Sequence, residues 1–142
     1  MKLFLIPFIV LLVDQVIKFF VIIWKKRKIY GNRFVWSFIW AGQFPSAHTA
    51  LIASCDTIIW RYYGAGPLFV FCFFVSLVLI YNLVASKKHE ILMENYFSKS
   101  GDKVLVKIVK DQILMDFSGH TLTEILAGGV LGIVLTLILL GL

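Results

Sequence analysis

The chain has 142 residues, 60% of them hydrophobic and 15% charged, with a mean hydropathy of +0.90 and a formal net charge of +6. Such a composition excludes a soluble globular domain. The positive balance suits a surface of anionic lipid, and no basic-aromatic pattern points to nucleic acid.

Residues 3–24 form an apolar run broken only by Asp14, Gln15 and Lys18. A spanning helix needs about 20 residues, so this run predicts one. Lys2 ahead of it gives a signal-peptide look. No small-residue cleavage site follows, however, and the polar interruptions predict a mature helix. Lys18 stands four residues after Asp14, so a local ion pair would lower the cost of burying both. A Lys18 turned inward as a phosphate anchor is the equal alternative. Residues 34–41 are apolar and aromatic but too short to cross. They predict a re-entrant or interfacial element leading into Pro45, with Trp36 and Trp40 at headgroup level.

The second span, about 45–63, opens with Pro45-Ser46-Ala47-His48-Thr49-Ala50. Proline early in a helix and serine near its cap mark an N-terminus. The free N–H groups there favour phosphate, with Ser46 among the candidate ligands. His48, read as about one turn in, could donate a proton to a leaving oxygen. The bland alternative is a capped helix with a hydrogen-bonded histidine. Asp56 lies two turns further on, and a pairing with Lys18 would explain it. A third span, about 66–86, follows. Cys55 and Cys72 fall inside spans and read as reduced, packed thiols with no metal-ligand spacing.

Lys87 and Lys88 begin a long loop, 86–119, either snorkelling at the interface or contacting substrate phosphate. Ser98-Lys99-Ser100-Gly101-Asp102 reads as a turn. Val104 to Lys110, with Ile113 and Leu114, reads as a basic amphipathic helix lying on the membrane.

The fourth span, about 120–142, opens with Gly119-His120-Thr121-Leu122-Thr123-Glu124. Spacing i, i+4 predicts that His120 and Glu124 share a helical face. A carboxylate accepting from one ring nitrogen would leave the other free to attack. The alternative is an ion pair at the membrane edge that merely satisfies two polar groups. Gly128 and Gly132, with Gly129 alongside, predict close helix packing, within the chain or across a homodimer.

The remaining basic residues orient the chain. Lys25, Lys26, Arg27, Lys28 and Arg33 lie between the first two spans, and Lys87, Lys88, Lys99, Lys103, Lys107 and Lys110 between the last two. Only Lys2 and Arg61 lie on the other face. The positive-inside rule puts both loops in the cytoplasm and both termini outside, with a bacterial inner membrane as the expected location. His48 and His120 then leave from one side and can meet. The expected fold is an all-α integral membrane protein. It has about four transmembrane helices, a short re-entrant or interfacial segment and an amphipathic loop helix, in a single domain over 1–142.

These motifs resemble the divergent, small-membrane-protein branch of the type 2 phosphatidic acid phosphatase and vanadium haloperoxidase-related superfamily. That branch shows Pro-Ser-Ser-His-Ser-Ala, Tyr-Asp with paired arginines, and Gly-His-Thr-Pro-x-Glu-Val. The corresponding stretches are Pro45 to Ala50, Tyr81-Asn82 with Lys87-Lys88, and Gly119 to Ile125. Gln15-x-x-Lys18, Ala127-Gly128 and Leu131-Gly132-Ile133 match as well. The resemblance implies a metal-independent phosphohistidine mechanism without cofactors, inhibited by vanadate. His120 would be the nucleophile, Glu124 its orienting carboxylate, His48 the general acid and Lys18 the first-motif lysine. Three departures stand out. Ile113-Leu114 occupies the place of Ser-Arg, no Arg-Pro follows Lys18, and Asn82 replaces an aspartate. Lys87, Lys88 or another loop lysine would then neutralise phosphate, as a point charge rather than a bidentate fork.

The function expected on these grounds is a lipid phosphatase with a cytoplasm-facing site, hydrolysing a phosphomonoester or diphosphate. Phosphatidylglycerophosphate, phosphatidic acid and polyprenyl diphosphate are all candidate substrates. The first rival is a non-catalytic lipid-phosphate binder or assembly partner that keeps the fold. The second is a small transporter subunit using Asp14, Lys18 and Asp56 as a polar path. No stable cage of basic residues favours a haloperoxidase.

Overall fold

A computed structural model describes residues 2–24, 44–99 and 119–141. Four helices run through them: α1 Lys2–Trp24, α2 Ala47–Tyr63, α3 Pro67–Lys99 and α4 Leu122–Leu140. The all-α membrane fold expected from composition is the one observed. Three helices, α1, α3 and α4, are long and apolar enough to cross a membrane. The 17 residues of α2 reach about 25 Å, and Ser54, Asp56 and Thr57 make it the most polar of the four. The predicted element over 34–41 and the loop helix over 104–114 lie outside the described residues, as do the basic residues 25–33 and 103–110.

α2 is the hub. It packs most extensively on α4, and also on α1 and α3, while α1 touches α4. The fit between α2 and α4 follows from two glycines. A Cβ on Gly128 would fall onto the carbonyl oxygen of Ser46, and one on Gly132 onto that of Ala50. Small residues at i and i+4 let the two backbones close up, as in membrane helix pairs generally. The glycine face therefore packs within the chain. Thr136 Oγ1 donates to Ser54 Oγ at 2.7 Å, both fully buried, adding a polar link on the same seam. Replacing Thr136 with valine is expected to cost about 0.6 kcal/mol, read as a lower midpoint in detergent-induced unfolding.

Ile6, Val10 and Ala50 form the apolar core, with Ile58, Leu135 and Leu140 packed against it. On α1 the buried positions recur every four residues, Ile6, Val10, Asp14 and Lys18, with Gln15 beside them. That face is apolar toward the start of the helix and polar toward its end. The polar end lies beside the starts of α2 and α4.

α3 covers the third span expected at 66–86 and continues to Lys99, through residues expected to begin the loop 86–119. Its 33 residues extend about 50 Å, beyond the ~30 Å hydrocarbon core. The expected boundary followed the end of the apolar run. Ala85 to Lys99 holds strong helix formers and neither glycine nor proline, so nothing stops the helix there. An i, i+3 contact from Lys87 to Glu90 supports the continuation. Most of α3 is exposed, and α2 is its principal partner. Asp56 hydrogen-bonds Ser76 across that contact. It therefore does not pair with Lys18, which lies on a different seam.

Candidate functional site

Two helix starts meet at the site. Ser46 caps α2 in an extended conformation, and its Oγ accepts from Thr49 N at 3.4 Å and Thr49 Oγ1 at 3.0 Å. Pro45 thus precedes the cap, and His48 is the second residue of the helix, earlier than the one-turn position expected from the sequence. Ser46 is fully buried, and its oxygen is engaged by the cap. Its backbone N–H donates to Glu124 O at 3.0 Å, pinning the start of α2 to the first turn of α4.

α4 begins two residues later than the span expected from 120. Thr121 is its N-cap, so His120 stands before the helix rather than on its face. The reason is a capping box: Thr121 Oγ1 accepts from Glu124 N at 3.4 Å, and Glu124 Oε2 accepts from Thr121 N at 2.9 Å. Thr-x-x-Glu ahead of an apolar run is the sequence signature of such a box, and it could have corrected the expected helical face. The side chains meet nonetheless. His120 Nδ1 lies 3.5 Å from Glu124 Oε2, close to the carboxylate but without a hydrogen bond.

The segment before α4 is held by α3. His120 N donates to Leu83 O at 3.1 Å. A Cβ on Gly119 would strike the backbone of Ser86 and Lys87, so only glycine allows this approach. No sequence signal marks that contact, because it is tertiary. His120 ends 2% exposed.

His48 and His120, 72 residues apart in sequence, meet there. Nδ1 of His48 lies 3.3 Å from Nε2 of His120, with ring centroids 5.5 Å apart and the planes 61° to each other. A hydrogen bond between two ring nitrogens needs one donor and one acceptor. The Glu124 carboxylate favours the proton of His120 on Nδ1, leaving a lone pair on Nε2 and making His48 Nδ1 the donor.

Lys18 approaches from α1. It is 4% exposed, its Nζ lies 3.0 Å from Asp14 Oδ2, and it is within Coulombic reach of both imidazoles. The N-terminal dipoles of α2 and α4 add partial positive charge at the same place. Lys87 adjoins the site through its backbone, but its Nζ holds both oxygens of Glu90 at 2.9 Å. Lys88 is exposed on α3. Among the described residues no three His, Cys, Asp or Glu side chains gather as metal ligands. Cys55 and Cys72 are free thiols.

A buried and an exposed histidine in contact at paired helix starts, beside a buried lysine, coincide with a match to the family described as Divergent PAP2 over residues 1–135. The chain belongs to the divergent PAP2 family. No curated protein and no solved structure matched it. In this divergent PAP2 protein the two histidine motifs, the first-helix lysine and Glu124 converge. Lys87 contributes its main chain to the wall, and Lys88 stays apart.

Proposed function

We propose that this protein is a lipid phosphatase working through a phosphohistidine. The observation that carries the proposal is the 3.3 Å contact between His48 Nδ1 and His120 Nε2 at two converging helix N-termini. The phosphate enters between the rings, the exposed His48 giving way while the buried His120 stays fixed by Leu83 and Glu124. His120 Nε2 attacks phosphorus, and the bond from phosphorus to the lipid oxygen breaks. His48, doubly protonated for this step, gives that oxygen one proton and is left neutral, releasing the lipid alcohol, or the lipid monophosphate when the substrate is a diphosphate. Water then attacks the phosphohistidine, returning a proton to His48 and releasing inorganic phosphate and free Nε2. Lys18, the two helix N-termini and a lysine freed from its carboxylate balance the phosphoryl charge.

Depth is consistent with a lipid substrate. From Pro67 to Ser86, α3 rises about 30 Å, one hydrocarbon thickness. The Leu83–Lys87 level, where His120 docks, then falls at the membrane boundary. Positive-inside charge makes that boundary cytoplasmic, with both termini on the far side, and loops of that sign suit a bacterial inner membrane.

The test is phosphate release by purified protein in lipid–detergent micelles, with chelator, across a panel of lipid phosphates, with and without vanadate. Vanadate-sensitive release on any of them supports the phosphatase and names its substrate class. A second reading, a lipid-phosphate binder without turnover, is favoured by one observation: Lys18 and Lys87 are both ion-paired with carboxylates. Vanadate binding with no release on any lipid would select the binder.

Glu124→Gln separates the two roles of that side chain. Glutamine at this position preserves a capping box, so the helix start stays intact while the charge beside His120 Nδ1 is lost. Turnover is expected to fall roughly 100-fold or more with an unchanged unfolding midpoint. Equal turnover in the two proteins would limit Glu124 to the cap.

A further inference from the structure

Among the described residues Asp14 is buried as completely as any side chain, yet none of them on another helix hydrogen-bonds its carboxylate. Its ion-pair partner among the described residues is Lys18 of the same helix, with Oδ2 3.0 Å from Nζ. Among the described residues Oδ1 has no hydrogen-bond partner, and neither has the buried Oε1 of Gln15 beside it. A carboxylate that braced the bundle would spend its oxygens on a neighbouring helix, as Ser54 and Thr136 spend theirs. What this carboxylate does is hold the ammonium of a 4% exposed lysine, offsetting part of the cost of burying that side chain.

We infer that Asp14 is a positioning residue: it holds the Lys18 side chain aimed at the His48–His120 pair, so that its ammonium stands ready where the phosphate binds. The local pair and the phosphate anchor are then one device rather than alternatives. The α1 register makes this possible. Asp14 and Lys18 lie four residues apart on the face buried against α2 and α4, with Asp14 one turn deeper. A lysine in this position reaches the phosphate from below, and its counter-ion sits behind it, out of the path of the substrate. The inference rests on the phosphate-binding part of the proposed function and not on turnover.

The test is a double-mutant cycle read by vanadate binding to purified protein in lipid–detergent micelles. The proteins are wild type, Asp14→Asn, Lys18→Met, the double variant and Asp14→Glu. Asp14→Asn keeps the shape and removes the charge. Asp14→Asn and Lys18→Met are each expected to weaken vanadate binding about tenfold, the scale of a lost charge-assisted contact. The double variant should be no weaker than Lys18→Met alone, and Asp14→Glu should recover most of the affinity. Losses that multiply in the double variant, or wild-type affinity in Asp14→Asn, would overturn the inference. If the cycle closes on Lys18 while no lipid is hydrolysed, the positioning role stands and the phosphatase falls. If lipid is hydrolysed but the losses multiply, the phosphatase stands and the positioning role falls.

Discussion

Replacing His120 with alanine is expected to lower vanadate-sensitive phosphate release by roughly 10⁴-fold or more, because the covalent route disappears with its nucleophile. His48→Ala should lose less, about 10²–10⁴-fold, since water can protonate a leaving oxygen slowly but cannot replace Nε2. The order of the two effects is informative. His120 is fixed by Leu83 O, Glu124 and the α4 cap and is 2% exposed. His48 is exposed at the same contact. A fixed nucleophile and an exposed acid fit a reaction in which phosphate must first part the rings. Assays of both variants beside wild type on the same lipid would check this. A larger loss in His48→Ala than in His120→Ala would reverse the roles.

The second large effect is structural. Gly128→Ala places a methyl group onto the Ser46 carbonyl. Overpacking of this kind costs about 1–3 kcal/mol, and here it also pushes apart the helix starts that Ser46 N and Glu124 O hold at 3.0 Å. The histidines should separate with them, so activity is expected to fall together with the unfolding midpoint. Gly129→Ala is the control one residue away. Its Cβ would meet Thr49 Cγ2 at 3.6 Å, an ordinary contact, and alanine is the better helix former by about 1 kcal/mol. Gly129→Ala should therefore be neutral or stabilising and remain active. Equal damage from both substitutions would mean that the close approach of Gly128 to Ser46 is not what sets the effect.

Much of this architecture was legible in the residues. Apolar runs located the helices, Ser46 marked a cap, and Gly128 with Gly132 marked a close seam. What the sequence could not name was the partner. The seam could equally have joined two copies, and only the fold sets it against Ser46 and Ala50. The same holds for Asp56, which meets Ser76 rather than Lys18, and for Gly119, whose need appears only once Lys87 lies against it. α3 continues past the end of its apolar run because no breaker precedes Gly101, and Thr121-x-x-Glu124 sets the start of α4 after His120. In both places backbone stop and start signals outweigh side-chain polarity. The histidine pair itself was legible only as permission: common topology let the rings meet, and the bundle brings them within 3.3 Å.

The most direct test of the central claim is to catch the phosphate on His120. Protein in excess over a hydrolysable lipid phosphate would be quenched in alkali during a single turnover, where phosphohistidine survives, and its peptides weighed. A phosphoryl group on His120 that appears before inorganic phosphate, and decays as phosphate is released, is the predicted result. Full release of phosphate with His120 unmodified at every time point, or with the phosphoryl group on another residue, would contradict it.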